Sequence, residues 1–319
     1  MKNQDLMNKV RNLTIGVTTV AFSKNNILLD QISSLGFKLV KPNPYLRRLT
    51  PKELILFLSD CDGAIIGLDQ INSSVLSHLP NLKFISKYGV GLDNIDQIAC
   101  KESNCLVLHQ KGINKRSVSE MALGFMLGLQ RNLYESSNDL KTGRWIKNGG
   151  MQLTGKTIGI IGLGNIGKDL ANLIKPFNCK ILVNDLLDQE EYCRTNGFLQ
   201  VDLDQLIETS DIISIHTPLT EKTKNLFDAT MFSKMKKGSI LINTARGQII
   251  NLNDLKTALL TGKLKGAALD VYDEEPPADK ELIGLPNLIN TPHIGGNSTE
   301  AVIAMGEASI SNIQSILIH

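Results

Sequence analysis

Apolar residues in this chain fall in short unbroken runs, separated by stretches in which they recur every three or four positions. The runs "LTIGVTT" (13–19), "DGAIIGL" (62–68) and "LKFISKYG" (82–89) predict buried strands. "NNILLDQISSLG" predicts an amphipathic helix ending near Gly36, and "NSSVLSHLPN" a short one. After Gly155 the series restarts, with "TIGIIG", "KILVND", "DIISIH", "SILINTA", "GAALDV" and "NLIN" as strands. Strand–helix alternation of this kind implies α/β architecture, parallel sheets covered by helices.

Between the two series the pattern changes. Ser117 and Glu120 have the spacing of a capping box, and "MALGFMLGLQRNL" predicts a long apolar helix behind them. "NDLKTGRWIKNGG" is polar and glycine-rich and contains the single tryptophan. It reads equally as an arm gripping a second subunit or as a surface loop. Residues 298–318 predict one amphipathic closing helix, with no third domain expected after it.

At 319 residues, two domains are the natural expectation. An apolar fraction of 42% with 21% charged residues excludes a largely disordered chain. The 34 basic and 32 acidic side chains leave a net charge of +2, so no global field favours nucleic acid or an anionic membrane. No apolar run approaches the roughly 20 residues that span a bilayer. The opening "MKNQDLMNKVRN" lacks the apolar middle of a signal peptide. Five cysteines without a CxxC pair argue against a disulfide framework or structural zinc, and for a reducing cytoplasm.

"TIGIIGLGNIGKDLANLIKPF" places Gly162, Gly164 and Gly167 in a GxGxxG turn between a strand and a helical pattern. The first glycine permits the tight turn, the second lets a pyrophosphate reach bare backbone, and the third lets helix pack on strand. The helix start then offers unpaired N–H groups to phosphates. Asp185 lies 23 residues after Gly162, close to the offset of about 20 expected for a carboxylate on the adenosine ribose. That carboxylate would repel a 2′-phosphate, so NAD is expected rather than NADP.

"TGKTIGIIGLGNIG", "ISIHTPLTEKTKNLF", "ILINTARGQII", "GAALDVYDEEPP", "NTPHIGG" and "SKYGVGLDNID" follow one another as in the NAD-dependent D-2-hydroxyacid dehydrogenases. The chain resembles that family over nearly its whole length, most of all the phosphoglycerate-dehydrogenase-like branch. The resemblance implies two Rossmann-like domains with a cleft between them. Residues 110–293 would bind NAD, while 1–109 plus 294–319 would form a flavodoxin-like substrate-binding domain. It also implies a homodimer joined through the NAD-binding domains.

By the same resemblance, the catalytic residues are Arg246, Glu275 and His293. The chemistry supports those residue types. Moving a hydride to or from C2 of a 2-hydroxy acid needs a partner for the hydroxyl proton, and histidine suits both directions near neutral pH. A carboxylate on its other nitrogen fixes the tautomer. Arginine can grip a substrate carboxylate through two parallel hydrogen bonds. Each residue alone has a duller reading, as a turn histidine, a loop acid or a surface charge.

Further cofactor contacts implied by resemblance are Asn165, Ile166, Thr217, Pro218, Thr244, Ala245, Asp270, Gly295 and Gly296, with Asp270 near the nicotinamide. His216 reads equally as a residue that only shapes its loop. In the substrate domain, Lys87, Tyr88, Gly89, Val90 and Gly91 would offer a backbone nest to the substrate carboxylate. Lys87 reads as readily as a solvated strand-edge lysine. Phosphoglycerate enzymes often carry arginines where this chain has Gly67 and Lys87, so Arg47 and Arg48 are alternative phosphate ligands. Two other readings stay open: an enzyme for an unphosphorylated acid of the glyoxylate or hydroxypyruvate type, and an NAD-sensing binding protein.

Overall fold

A computed structural model describes the backbone of residues 11–318 and side chains to residue 316. The polar opening stretch read against a signal peptide lies almost wholly outside those residues. The chain divides into two compact units, one running to Asn114 and resuming at Asn297, the other spanning Lys115–Gly296.

The first unit is built on a parallel sheet of β1 (Thr14–Val17), β2 (Leu39–Pro42), β3 (Gly63–Ile66), β4 (Phe84–Lys87) and β5 (Leu106–Leu108). Their order is β2-β1-β3-β4-β5. The three inner strands are buried at every position, which is why each reads as an unbroken run. The closing helix, Thr299–Ile318, covers one face of this sheet, with Met305, Ile310 and Ile313 in the core beside Phe22, Leu28 and Tyr88. Gly306 allows the approach, since an added Cβ there would lie 2.3 Å from Leu28 Cδ1. Two buried serines fasten helix to strand: Ser86 Oγ donates to Ser309 O at 2.9 Å, and Ser309 Oγ to Lys87 O at 3.1 Å.

The second unit carries β6 (Thr157–Ile161), β7 (Lys180–Asn184), β8 (Leu199–Gln200), β9 (Ile212–Ile215), β10 (Ser239–Asn243), β11 (Leu264–Leu269) and β12 (Leu288–Asn290). All run parallel in the order β12-β11-β10-β9-β6-β7-β8. Ile213, Ile215 and Leu241 face one core, while Ile158, Ile160, Ile240 and Ile242 face the other. The connections reverse direction between β6 and β9. In open α/β sheets ligands bind beyond the strand ends at such a reversal.

Three features differ from the sequence expectation. Along the chain the seams fall at 114/115 and 296/297 rather than 109/110 and 293/294. Ile113 packs in the first unit's core, and Asp270 binds the backbone of Ile294 and Gly295. The helix expected to start behind Ser117 begins at Lys115. Ser117 therefore lies inside it, and its hydroxyl donates to Gly295 O at 2.6 Å instead of closing a capping box with Glu120. The stretch after that helix is itself partly helical, Leu133–Lys141, with no residue buried. Leu140, Trp145 and Ile146 are exposed, Trp145 to 75%. The returning chain is pinned at Gly150, whose φ is +65°, and at Met151, whose N–H reaches Gln130 O at 2.8 Å.

Among the described residues no helix is long and apolar enough to cross a membrane, and no cluster of acids, histidines and cysteines could hold a metal ion.

Candidate active site

The glycine turn leaves β6 as its spacing requires. Gly162 has φ +92°, and a Cβ there would sit 2.7 Å from His216 O, where β9 ends. A Cβ on Gly167 would lie 2.1 Å from Gly162 O, so this glycine seats the helix Asn165–Ile174 against the turn. Gly164 has nothing within 4 Å of its Cβ position, and no side chain caps that helix. Open space in front of an uncapped helix start is what a pyrophosphate needs. Asn165 is exposed and Ile166 half-buried there.

Asp185 follows β7 and accepts the N–H of Leu163 at 2.6 Å and that of Leu187 at 2.9 Å. Its carboxylate is thus held beside the glycine turn. His216 bonds Ser214 Oγ through Nε2 at 2.8 Å, while its Nδ1 is enclosed without a partner among the described residues. Burial pushes its pKa down to about 4, so the ring is neutral at physiological pH. Thr217 is half-buried and Pro218 exposed at the end of β9, and Pro218 O accepts Thr223 Oγ1 at 2.8 Å.

The Thr244–Arg246 turn leaves β10 under the control of buried Asn243. That side chain accepts Ala245 N–H at 2.9 Å and donates to Arg246 O at 2.9 Å. Ala245 and Thr244 are buried, and the Thr244 hydroxyl is enclosed without a partner among the described residues. Arg246 is half-buried and donates from Nη1 to Ala245 O at 2.7 Å. Gly247 lets this turn rest on the next one, since an added Cβ would lie 1.8 Å from the carbonyl carbon of Tyr272.

On that next turn stand three adjacent acids, and Glu275 is the one that reaches a histidine. Its two oxygens lie 3.0 and 2.9 Å from His293 Nδ1, and Tyr272 N–H donates to Oε1 at 3.2 Å. Burial pushes the Glu275 carboxyl up in pKa, but His293, the Tyr272 N–H and the Arg246 charge together hold it below its ordinary value. The charge of Arg246 is therefore felt at the same pair. Tyr272 is pushed up to about 12 by burial and by Asp270 and Glu275, so it stays neutral. With Nδ1 turned to a carboxylate, His293 presents Nε2 outward, and its side chain is 34% exposed.

His293 itself has φ +54°, a left-handed backbone rare outside glycine. Asp270, 1% exposed at the end of β11, holds the flanking residues: Thr291 Oγ1 at 2.6 Å, Ile294 N–H at 2.8 Å and Gly295 N–H at 2.7 Å. A Cβ on Gly295 would come within 2.8 Å of Asp270 Oδ2. Gly296 is half-buried at the end of the unit. Sequence reasoning missed the bond from Ser117 to Gly295. No local signal could reveal it, because the two residues are far apart in the chain.

In the first unit, Lys87 ends β4 only 4% exposed, so it is not a solvated strand-edge lysine. Its ammonium donates to Gly67 O and to Asn94 Oδ1, the latter at 2.7 Å. Tyr88 is buried, its hydroxyl donating to Val302 O at 3.2 Å and its N–H to Ile66 O at 2.9 Å, so its backbone donor is already taken within the sheet. Gly89 has φ +108°, and Gly89, Val90 and Gly91 are half-buried. Arg47 is engaged with Glu53 at 2.6 Å. Arg48 donates to Leu68 O at 2.9 Å and has no acidic partner among the described residues.

Comparison with known proteins adds the family. Residues 123–295 match the family model described as D-isomer specific 2-hydroxyacid dehydrogenase, NAD binding domain. The chain is 37% identical to a hydroxypyruvate reductase of Thermotoga maritima, over 83% of this chain and 88% of that one. It is 36% identical to a D-3-phosphoglycerate dehydrogenase of Methanocaldococcus jannaschii, over 84% of this chain and 52% of that one, about half the relative's length. A crystal structure of Aquifex aeolicus D-lactate dehydrogenase with NAD and lactic acid superposes with a TM-score of 0.82, at 26% identity and 95% coverage of each chain. The chain belongs to the NAD-dependent D-isomer-specific 2-hydroxyacid dehydrogenases.

Proposed function

We propose that His293, Glu275 and Arg246 carry out the proton transfer and substrate binding that accompany hydride transfer between NAD(H) and C2 of a 2-hydroxy or 2-oxo acid. The observation that supports this most is the hydrogen bond between His293 Nδ1 and Glu275, 2.9 Å to the nearer oxygen. NAD, when bound, supplies the hydride acceptor or donor. Gly162, Gly164, Gly167 and the start of helix Asn165–Ile174 would hold its pyrophosphate, Asp185 its ribose, and the Thr244 hydroxyl a polar group of the nicotinamide half.

Glu275 fixes the proton on His293 Nδ1 when the ring is neutral, so Nε2 is the nitrogen free to take a proton from the substrate hydroxyl. When that proton arrives, the carboxylate stabilises the imidazolium. In the reductive direction Nε2 returns the proton to the oxygen at C2. Arg246 binds the carboxylate and polarises that oxygen. In the first unit, the turn Gly89–Gly91 would offer backbone N–H groups to a substrate carboxylate.

For the distal end of the substrate, Arg48 bears on the choice. Anchored just after β3 through Leu68 O and lacking an acidic partner among the described residues, it can meet an anion. A phosphorylated substrate of the 3-phosphohydroxypyruvate type is the finer reading. A second reading, hydroxypyruvate or glyoxylate, is favoured by Lys87, whose protons are already directed at Gly67 and Asn94. The exposed Leu140, Trp145 and Ile146 support a homodimer through the second unit, and five cysteines outside any disulfide support a reducing cytoplasm.

The test is NADH oxidation with 3-phosphohydroxypyruvate, hydroxypyruvate, glyoxylate and pyruvate. The highest kcat/KM is expected with the phosphorylated acid, and Arg48→Met should lower it at least tenfold while sparing the others. A preference for hydroxypyruvate, indifferent to Arg48, selects the second reading. No turnover on any acid, with NADH still bound, would support an NAD-sensing role.

A further inference from the structure

We infer that Asp270 and Ser117 are positioning residues that hold the loop 291–295 on the one path that brings the His293 ring to Glu275. The inference rests on His293 being the acid–base residue.

A histidine at φ +54° does not stay there by its own preference, so the surroundings must impose that conformation. The polar contacts of the loop show how. Thr291 is tied through its N–H to Leu269 O at 3.0 Å and through its hydroxyl to Asp270 Oδ1 at 2.6 Å. Pro292 has a fixed φ. On the other side of the ring, Ile294 N–H and Gly295 N–H both point into the same carboxylate, at 2.8 and 2.7 Å. The loop is therefore clamped immediately before and immediately after His293. Both oxygens of Asp270 accept from this loop. A carboxylate 1% exposed needs such donors to replace lost hydration.

Ser117 completes the clamp from another element. Its hydroxyl donates to Gly295 O at 2.6 Å, so Gly295 is held by its N–H on one side and its carbonyl on the other. Ser117 stands in the first turn of helix Lys115–Gln130, where the chain enters the second unit. Gly295 stands just before the chain leaves it. One hydroxyl thus ties the entering segment to the departing one beside the catalytic loop.

Each contact can be removed with little change of shape. Ser117→Ala deletes the bond to Gly295 O, Thr291→Val the bond to Asp270 Oδ1, and Asp270→Asn turns an amide N–H toward a backbone N–H. The expected result is a 5- to 50-fold fall in kcat for each, with the dissociation constant of NADH changed less than threefold for Ser117→Ala and Thr291→Val. In a His293→Ala background the same substitutions should alter the residual single-turnover rate less than twofold, because they act through the ring. Equal losses with and without His293, or a loss seen only in NADH affinity, would overturn the inference. The His293 ring signals in nitrogen NMR give a readout independent of turnover. The clamp predicts that Ser117→Ala and Asp270→Asn weaken the hydrogen-bonded Nδ1 signature, and an unchanged signature would also overturn it. If His293→Ala alone leaves the rate intact, the catalytic reading has failed, while the NMR result still judges the clamp.

Discussion

At the scale of single residues, the proposed chemistry turns on how His293 and Glu275 share a proton. Removing the imidazole with His293→Ala should lower kcat by about 10²–10⁴-fold, the range for losing a general acid–base group. NADH titration by fluorescence should show binding retained. Glu275→Gln keeps the shape but deletes the charge that stabilises the protonated ring. The acid limb of the oxidation profile should then move to lower pH, and the alkaline limb of reduction should move the same way. A profile that stays in place would count against the pairing. The sign for stability follows from the direction at Glu275. Its folded carboxyl lies below the ordinary value, so the pair favours the folded state above that range and the contribution disappears as pH falls through the folded value.

Residue identity was legible in the sequence only where a motif carried it. Arg246, Glu275 and His293 stand in recognisable strings, and the structure brings Glu275 and His293 within hydrogen-bond distance. What Asp270 holds could not be read in advance, because its three donors come from a loop that meets it only after folding. Ser117 misled for the same reason: its spacing to Glu120 resembles a cap, but its tertiary partner, Gly295, is the stronger claim on the hydroxyl.

At the scale of elements, legibility followed burial. The inner strands, β1, β3, β4, β6, β9 and β10, are buried almost throughout and stand out as apolar runs. The strands that escaped notice, β2, β5 and β8, sit at sheet edges with exposed positions, so no run marks them. The glycine turn is more exacting than a pattern match suggests. Gly167→Ala would force a methyl to within 2.1 Å of Gly162 O and push the helix off the turn. A loss of about 1–3 kcal/mol in stability is expected from such overpacking, together with weaker NADH binding. Gly164→Ala meets no protein atom, so its cost should appear in NADH affinity with the melting temperature unchanged. Thermal melts with and without NADH distinguish the two.

At the scale of the whole molecule, the exposed Leu140, Trp145 and Ile146 lie on a stretch with no buried residues of its own, rooted at Gln130 and Gly150. A second copy covering that surface would account for it. Trp145→Glu should then shift the mass measured by sedimentation from dimer to monomer, and a wild-type chain that sediments as a monomer would end that proposal. The alternation of strands and helices made the doubly wound architecture readable. It could not say which surfaces meet a partner, because an exposed tryptophan in a polar stretch looks the same in an arm as in a loop.

The most direct test of the account is a single-turnover experiment with NADH bound in advance and a 2-oxo acid that supports turnover, comparing wild type with His293→Ala across pH. The account predicts a loss of at least a hundredfold in the hydride-transfer rate, with the wild-type dependence on one titrating group abolished and the amount of bound NADH unchanged. A variant that reduces the acid at near wild-type rate, with the same pH dependence, would contradict it.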